Sequence, residues 1–187
     1  MNRKGIELSA NFLVILIISF VVFGAGLAMI KGFFSQAEEI RKDLDQDTVN
    51  RIEQLMNDGS RVSIPVNTKT ISRGDLDVFG LGVNNVLPGS NNLFDVSIKF
   101  KKAVYENGSQ IHNLNNGYIN TRWIYNSTET YEIDTNEYEV IGLQVKADPK
   151  ISTTASTLPG TYIFDVNVSH QGRFYDGHIH KVYVVVP

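Results

Sequence analysis

Three asparagines of this 187-residue chain stand in the Asn-X-Ser/Thr pattern: Asn107-Gly108-Ser109, Asn126-Ser127-Thr128 and Asn167-Val168-Ser169. That pattern is the acceptor for N-linked glycans, and its use belongs to the surface of an exported protein. A second grouping is His178-Ile179-His180, with Asp176 just before it and His170 across an expected hairpin. Alternate positions of a strand put both imidazoles on one side, where they could meet a metal ion. No spacing here fixes a fourth ligand, so a solvated hairpin base is the plainer reading and no metal is assigned. Asp43-Leu44-Asp45-Gln46-Asp47 begins like a calcium loop, but its sixth place is Thr48 and its twelfth is Gln54. The sharp turn and the bidentate carboxylate of such a loop are therefore both missing. Tyr118, Trp123, Tyr125, Tyr131 and Tyr138 offer aromatic rings for a sugar platform, although strand aromatics more often fill cores or pair across strands.

Other chemistry has no residues to rest on. The chain has no cysteine, no Gly-rich phosphate loop and no Ser/His/Asp arrangement in a recognisable context, so no catalytic residue and no cofactor is assigned. A formal charge of −3 gives no basic face for nucleic acid.

The elements that must carry these residues fall into two parts. From about residue 60 to 187 the sequence alternates in short runs broken by Gly, Asn and Pro, which predicts an antiparallel β-sandwich. The expected strands are Arg61–Val66, Asp75–Val83, Leu93–Tyr105, Tyr118–Asn126, Tyr138–Ala147, Gly160–Ser169 and His178–Val186. Leu158-Pro159-Gly160-Thr161-Tyr162 is similar to the tyrosine corner that opens a late strand of immunoglobulin-like domains. In that resemblance Phe164 stands where an antibody domain has its second cysteine, and Trp123 is the candidate core tryptophan. Apolar packing alone must then hold the sheets together.

The first part is different in kind. Met1-Asn2-Arg3-Lys4-Gly5 is a short basic head, Ile6-Glu7-Leu8-Ser9 follows, and Phe12 to Ile30 carries no charge. At ~1.5 Å per residue that run matches the roughly 30 Å hydrocarbon layer. Arg3 and Lys4 before it keep the amino terminus cytoplasmic and send the rest across. Beyond Lys31 apolar residues recur at Phe33, Ala37, Ile40, Leu44, Ile52 and Leu55, an amphipathic helical pattern that stops at Asn57-Asp58-Gly59-Ser60. The expectation is one nearly continuous helix over 6–59: a transmembrane or filament-core part at 6–32 and an amphipathic stalk at 33–59. The fold class expected is thus α+β, a long N-terminal helix followed by an immunoglobulin-like β-sandwich.

Arg3-Lys4-Gly5, then Ile6-Glu7-Leu8-Ser9 and the apolar helix, resembles the class III signal peptide of type IV pilins in its archaeal form. The resemblance covers about 30 residues. It implies a leader at 1–5, recognised through Arg3 and Lys4 and cut at the Gly5–Ile6 bond by a prepilin peptidase. Loss of the leader removes two basic residues and leaves a charge of 15 − 20 = −5. The same resemblance implies subunit packing through Glu7, Phe12, Ile15, Ile18, Gly24 and Gly26, with an assembly ATPase and a membrane platform protein as transient partners. Many bacterial pilins carry glutamate at the fifth mature position, whereas Glu7 would be the second. The function implied is that of a structural, glycosylated subunit of a homopolymeric surface filament for adhesion, held in the cytoplasmic membrane before assembly. The alternative is an uncleaved single-pass anchor whose sandwich binds an extracellular partner.

Overall fold

Residues Leu76–Asn84 form a strand in which every position from Val78 onward is buried. Successive strand side chains point to opposite faces, so both faces of this strand must be covered. One is covered by a second sheet and the other by a helix. The computed structural model describes residues 12–23, 44–89 and 91–187 of the chain.

Two compact units make up the chain, Met1–Ile40 and Arg41–Pro187. In the first, residues 12–23 are helical (α1). Eleven apolar side chains from Phe12 to Phe23 are exposed there, between 43% for Leu16 and 67% for Phe12 and Phe20. The one polar group in this stretch, Ser19 Oγ, donates back to Ile15 O at 2.8 Å. Among the described residues no helix is long and apolar enough to cross a membrane.

The second unit runs α2 (Gln46–Asn57), β1 (Val62–Ser63), β2 (Thr68–Thr70), β3 (Leu76–Asn84), β4 (Leu93–Val104), α3 (Asn116–Arg122), β5 (Thr128–Glu132), β6 (Tyr138–Lys146), β7 (Gly160–His170), β8 (Arg173–Phe174) and β9 (His180–Val186). One sheet has the order β1-β3-β6. The other has the order β2-β9-β7-β4-β5, with β8 on β7, and its β2–β9 pair is parallel. Phe79, Leu81, Val83, Ile141, Leu143 and Val145 of the small sheet pack against Phe94, Val96, Ile98, Phe164, Val166, Val182 and Val184 of the large one. Trp123 and Tyr162 complete that core, both fully buried.

Helix α2 covers the opposite face of the small sheet. Thr48, Ile52 and Met56 make its buried stripe. Their footing is Gly80 and Gly82, where an added Cβ would lie 2.8 and 2.5 Å from Ile52. The two glycines therefore let the helix lie close on the strand. Its C-terminus closes with Gly59 at φ 91°, Gly59 N–H on Met56 O and Ser60 N–H on Leu55 O, the pair of bonds that satisfies the last carbonyls of a helix. Buried Asn84 also donates to Met56 O at 3.2 Å, tying the helix end to β3.

Two expectations are corrected. A single long helix over 6–59 does not form: Leu44 and Asp45 are non-helical, and Asp45, at φ −57° and ψ 130°, precedes a new helix starting at Gln46. The physical cause lies in Leu44, which is buried against Val78, Val140 and Ile52. Docking that side chain takes the backbone off a helical path. The architecture is β-rich with short helices. The strand expected over Tyr118–Asn126 is instead mostly α3, because Asn115 Oδ1 caps it by accepting from Tyr118 N–H at 2.9 Å. Ile119 and Trp123, four residues apart, then share its buried side.

Candidate functional site

The expected leader and cleavage residues Arg3, Lys4, Gly5 and Ile6, and the expected packing residues Glu7, Gly24 and Gly26, lie outside the described residues. Phe12, Ile15 and Ile18 lie on α1, exposed at 67%, 63% and 56%. Full burial of a large apolar side chain is worth about 1.5–3 kcal/mol, so eleven of them, each between 43% and 67% exposed, disfavour contact with water by roughly 10–20 kcal/mol. A helix apolar all round needs lipid or other helices about it.

In the sandwich, the tyrosine corner is formed. Tyr162 OH donates to Leu158 O at 3.0 Å and accepts from Leu158 N–H at 3.2 Å. Burial raises its pKa above the usual tyrosine value, against a smaller lowering by the Leu158 bond. The Trp123 ring lies 4.5 Å from the Tyr162 ring and its Nε1–H donates to Lys150 O at 3.0 Å. These aromatics hold the two sheets where a disulfide would otherwise do so.

The three sequons differ in setting. Asn107 is exposed at a hairpin tip, and its Oδ1 accepts from both the backbone N–H (3.0 Å) and the hydroxyl (2.6 Å) of Ser109. It borders an open groove of about 840 Å³ lined also by Tyr105, Pro159, Thr161, Val185 and Pro187. Glu106 is the carboxylate on that groove; a lone carboxylate makes no acid–base pair. Asn126 is exposed in a turn, with φ 55°. Asn167 is different: it sits within β7, level with Ser97 of β4, and its Oδ1 is buried without a hydrogen-bond partner.

The histidines do not converge. His180 Nε2 is 2.5 Å from Asp176 Oδ2, His178 Nδ1 turns to Asp176 O at 2.8 Å, and His170 Nδ1 meets Leu93 O at 3.1 Å. Among the described residues no group of three or more His, Cys, Asp or Glu could hold a metal ion. The aromatics do not share a face either. Trp123 is core, Tyr138 packs with the α2 cluster and Tyr131 against the main core.

Sequence reading missed the charge layout of the large sheet's outer face. A bulge between Phe100 and Lys102 breaks the alternation of β4, so Lys101 and Lys102 are both exposed. A bulge adds one residue to a strand and re-aims the side chains beyond it. Asp165, with 15% of its side chain exposed, accepts an ion pair from Lys181 and lies 4.0 Å from Lys101 Nζ. The signal available was the dipeptide Lys101-Lys102 inside an otherwise alternating strand.

At the open side of the sandwich Tyr131 OH donates to Glu129 Oε2 at 2.5 Å. Burial first, then that bond and the charges of Glu129 and Glu139, push the Tyr131 pKa well above the usual tyrosine range.

No protein-family model and no curated protein sequence matches the chain. Among solved structures it is similar to the CARDB domain of a Pyrococcus furiosus protein in complex with di-metal ions, at 12% identity over 67% of this chain and 84% of that one, TM-score 0.38. It is also similar to PapD-like domain 7 of human CEP192, at 10% identity over 67% and 83%, TM-score 0.38. A third is the periplasmic chaperone SfaE, at 9% identity over 67% and 56%, TM-score 0.37. Likenesses this distant carry nothing about function.

Proposed function

We propose that this chain is the structural subunit of an archaeal type IV pilus-like surface filament serving adhesion, with its apolar amino-terminal segment as the polymerising element and its sandwich displayed outside. The observation that carries the reading is the helical stretch 12–23, whose apolar side chains are exposed on every side. Such a stretch is kept from water by lipid before assembly and by copies of itself afterwards. Lipid tails are as apolar as these side chains, so the exchange is driven by packing between helices rather than by the hydrophobic effect. The basic head Arg3-Lys4 before Gly5-Ile6 supplies the recognition and cleavage site in this reading, and a prepilin peptidase, an assembly ATPase and a platform protein act on the subunit. The sandwich has no chemical step to perform; it forms the wall, with glycans on exposed sequons. Replacing Gly5 with tryptophan tests the reading. The leader is then retained and surface filaments disappear; filaments that persist unchanged would sink it.

A further inference from the structure

The charged residues of the sandwich are sorted by position. Residues 123–145 contain five acidic residues, Glu129, Glu132, Asp134, Glu137 and Glu139, and no basic one. They occupy β5, β6 and the turn between, which is one edge of the sandwich, and Glu132, Asp134 and Glu137 are exposed. Leu93, 51% exposed and directly opposite Glu132 in the β4–β5 ladder, puts an apolar side chain among them.

The outer face of the large sheet changes character along β4: Leu93, Asp95 and, opposite Leu93, Glu132 stand on it at the β5 side, and beyond Ser97 it turns basic. In that basic half Lys99, Lys101, Lys102 and Lys181 stand about Asp165, four positive charges to one negative. Next to them on the same face stand Ile163 and Tyr183, paired across β7 and β9 and only half-buried. An apolar centre rimmed by one sign of charge is the anatomy of a protein contact rather than of an inert surface. The bulge at Phe100/Lys102 contributes directly, because without it Lys101 and Lys102 would point to opposite faces.

We infer that the lysine-rimmed half of the large sheet's outer face, about Ile163 and Tyr183, docks on the acidic β5–β6 edge of a second copy of this chain. The two patches are different regions of one molecule, Leu93 and Glu132 sharing the sheet face with the lysines but lying at the β5 end of it. Their contact is heterologous, and a heterologous contact that does not close into a ring propagates as a helical array. Complementary charge would set the register and exclude misaligned neighbours, since like charges brought together are costly. This inference rests on the filament reading and adds to it the contact by which neighbouring sandwiches interlock.

The test uses full-length chain in filaments sheared from cells. A zero-length carbodiimide couples amines to carboxylates in contact; the covalent dimer band is excised and its linked peptides mapped. Links from Lys101 or Lys102 to Glu132, Asp134 or Glu137 are expected. Two sets of charge reversals are then made, Lys101→Glu with Lys102→Glu, and Glu132→Lys with Glu137→Lys, all at exposed positions, with thermal unfolding checked to show that the sandwich stays folded. Each set alone should lower filament yield by about tenfold or more, and the two combined in one chain should restore both the yield and the links between the same positions. Filaments whose dimer band maps elsewhere overturn this inference and leave the filament reading standing; absence of any assembled wild-type material overturns both. Should Lys101→Glu with Lys102→Glu abolish retention of the chain on an immobilised acidic polysaccharide while leaving filaments unchanged, the face serves a polyanion and the inference fails.

Discussion

Replacing Gly82 with alanine tests the seating of α2 on β3. An alanine Cβ at that position would stand 2.5 Å from Ile52 Cγ2 and 3.1 Å from Met56 Cε and Sδ. Met56 can yield, because its thioether chain is flexible. Ile52 Cγ2 cannot, because it branches from Cβ and the helix holds that side chain in one dominant rotamer. Relief therefore requires α2 to move, and overpacking of this kind costs about 1–3 kcal/mol. Alanine recovers about 0.5–1 kcal/mol through the lower backbone entropy of its unfolded chain. The 2.5 Å approach to a fixed branch puts the cost in the upper half of that range, so the net expectation is a loss of about 1–2.5 kcal/mol, read as a fall in Tm of about 3–7 °C for a unit of this size. Thermal unfolding of the detergent-solubilised full chain, followed by circular dichroism, measures it. The companion variant Gly80→Ala meets Ile52 at its terminal Cδ1, 2.8 Å away, which can swing aside, and Thr48 Cγ2 at 3.0 Å, which need give only a few tenths of an ångström, so its loss should be smaller. Adding Ile52→Ala to Gly82→Ala should cost less than the sum of the two alone, by about 1 kcal/mol of coupling. A neutral or stabilising Gly82→Ala, or strict additivity with Ile52→Ala, would refute the reasoning.

Three further expectations come from the same geometry. Tyr162→Phe removes both hydrogen bonds to Leu158 and should destabilise by about 1–2 kcal/mol in denaturant titration, whereas loss of an incidental surface hydroxyl would leave the midpoint unmoved. Alkaline titration should show Tyr131 and Tyr162 ionising last in the 295 nm absorbance. Their folded pKa values are raised, so above about pH 10 the unfolded chain sheds these protons first and stability falls as pH rises; Tyr131→Phe should flatten that fall. Glycopeptide mapping of native filaments should find Asn107 and Asn126 modified and Asn167 bare, since Asn167 Oδ1 is buried within β7; a glycan on Asn167 alone would reverse that ranking.

The strands were the most legible part of the chain. Leu93–Val104, Tyr138–Lys146 and Gly160–His170 begin and end within a residue of where alternation and turn residues place them. The tyrosine corner was readable too, because Leu158-Pro159-Gly160-Thr161-Tyr162 is a local motif whose hydrogen bond spans only four residues. The long helix was misread for a reason of the opposite kind. Periodicity shows that Thr48, Ile52 and Met56 share a stripe, but not what the stripe faces, and the answer lies in Gly80 and Gly82, almost thirty residues away. Leu44 fits the helical spacing equally well, yet tertiary docking claims it. Trp123 was assigned correctly to the core but to the wrong element, since aromatics at Tyr118 and Trp123 resemble a strand until Asn115 is recognised as a cap. The lysine face depends on a bulge, whose trace in the sequence is a break in the alternation at Lys101-Lys102 rather than the alternation itself.

The central proposal is that a short basic leader is removed and the apolar segment behind it then builds the filament. The most direct measurement is intact mass together with N-terminal sequencing of subunits from filaments sheared off the cell surface. The predicted result is Ile6 at the amino terminus, with the five residues Met1–Gly5 absent from the mass. Assembled subunits that still begin at Met1 would contradict it.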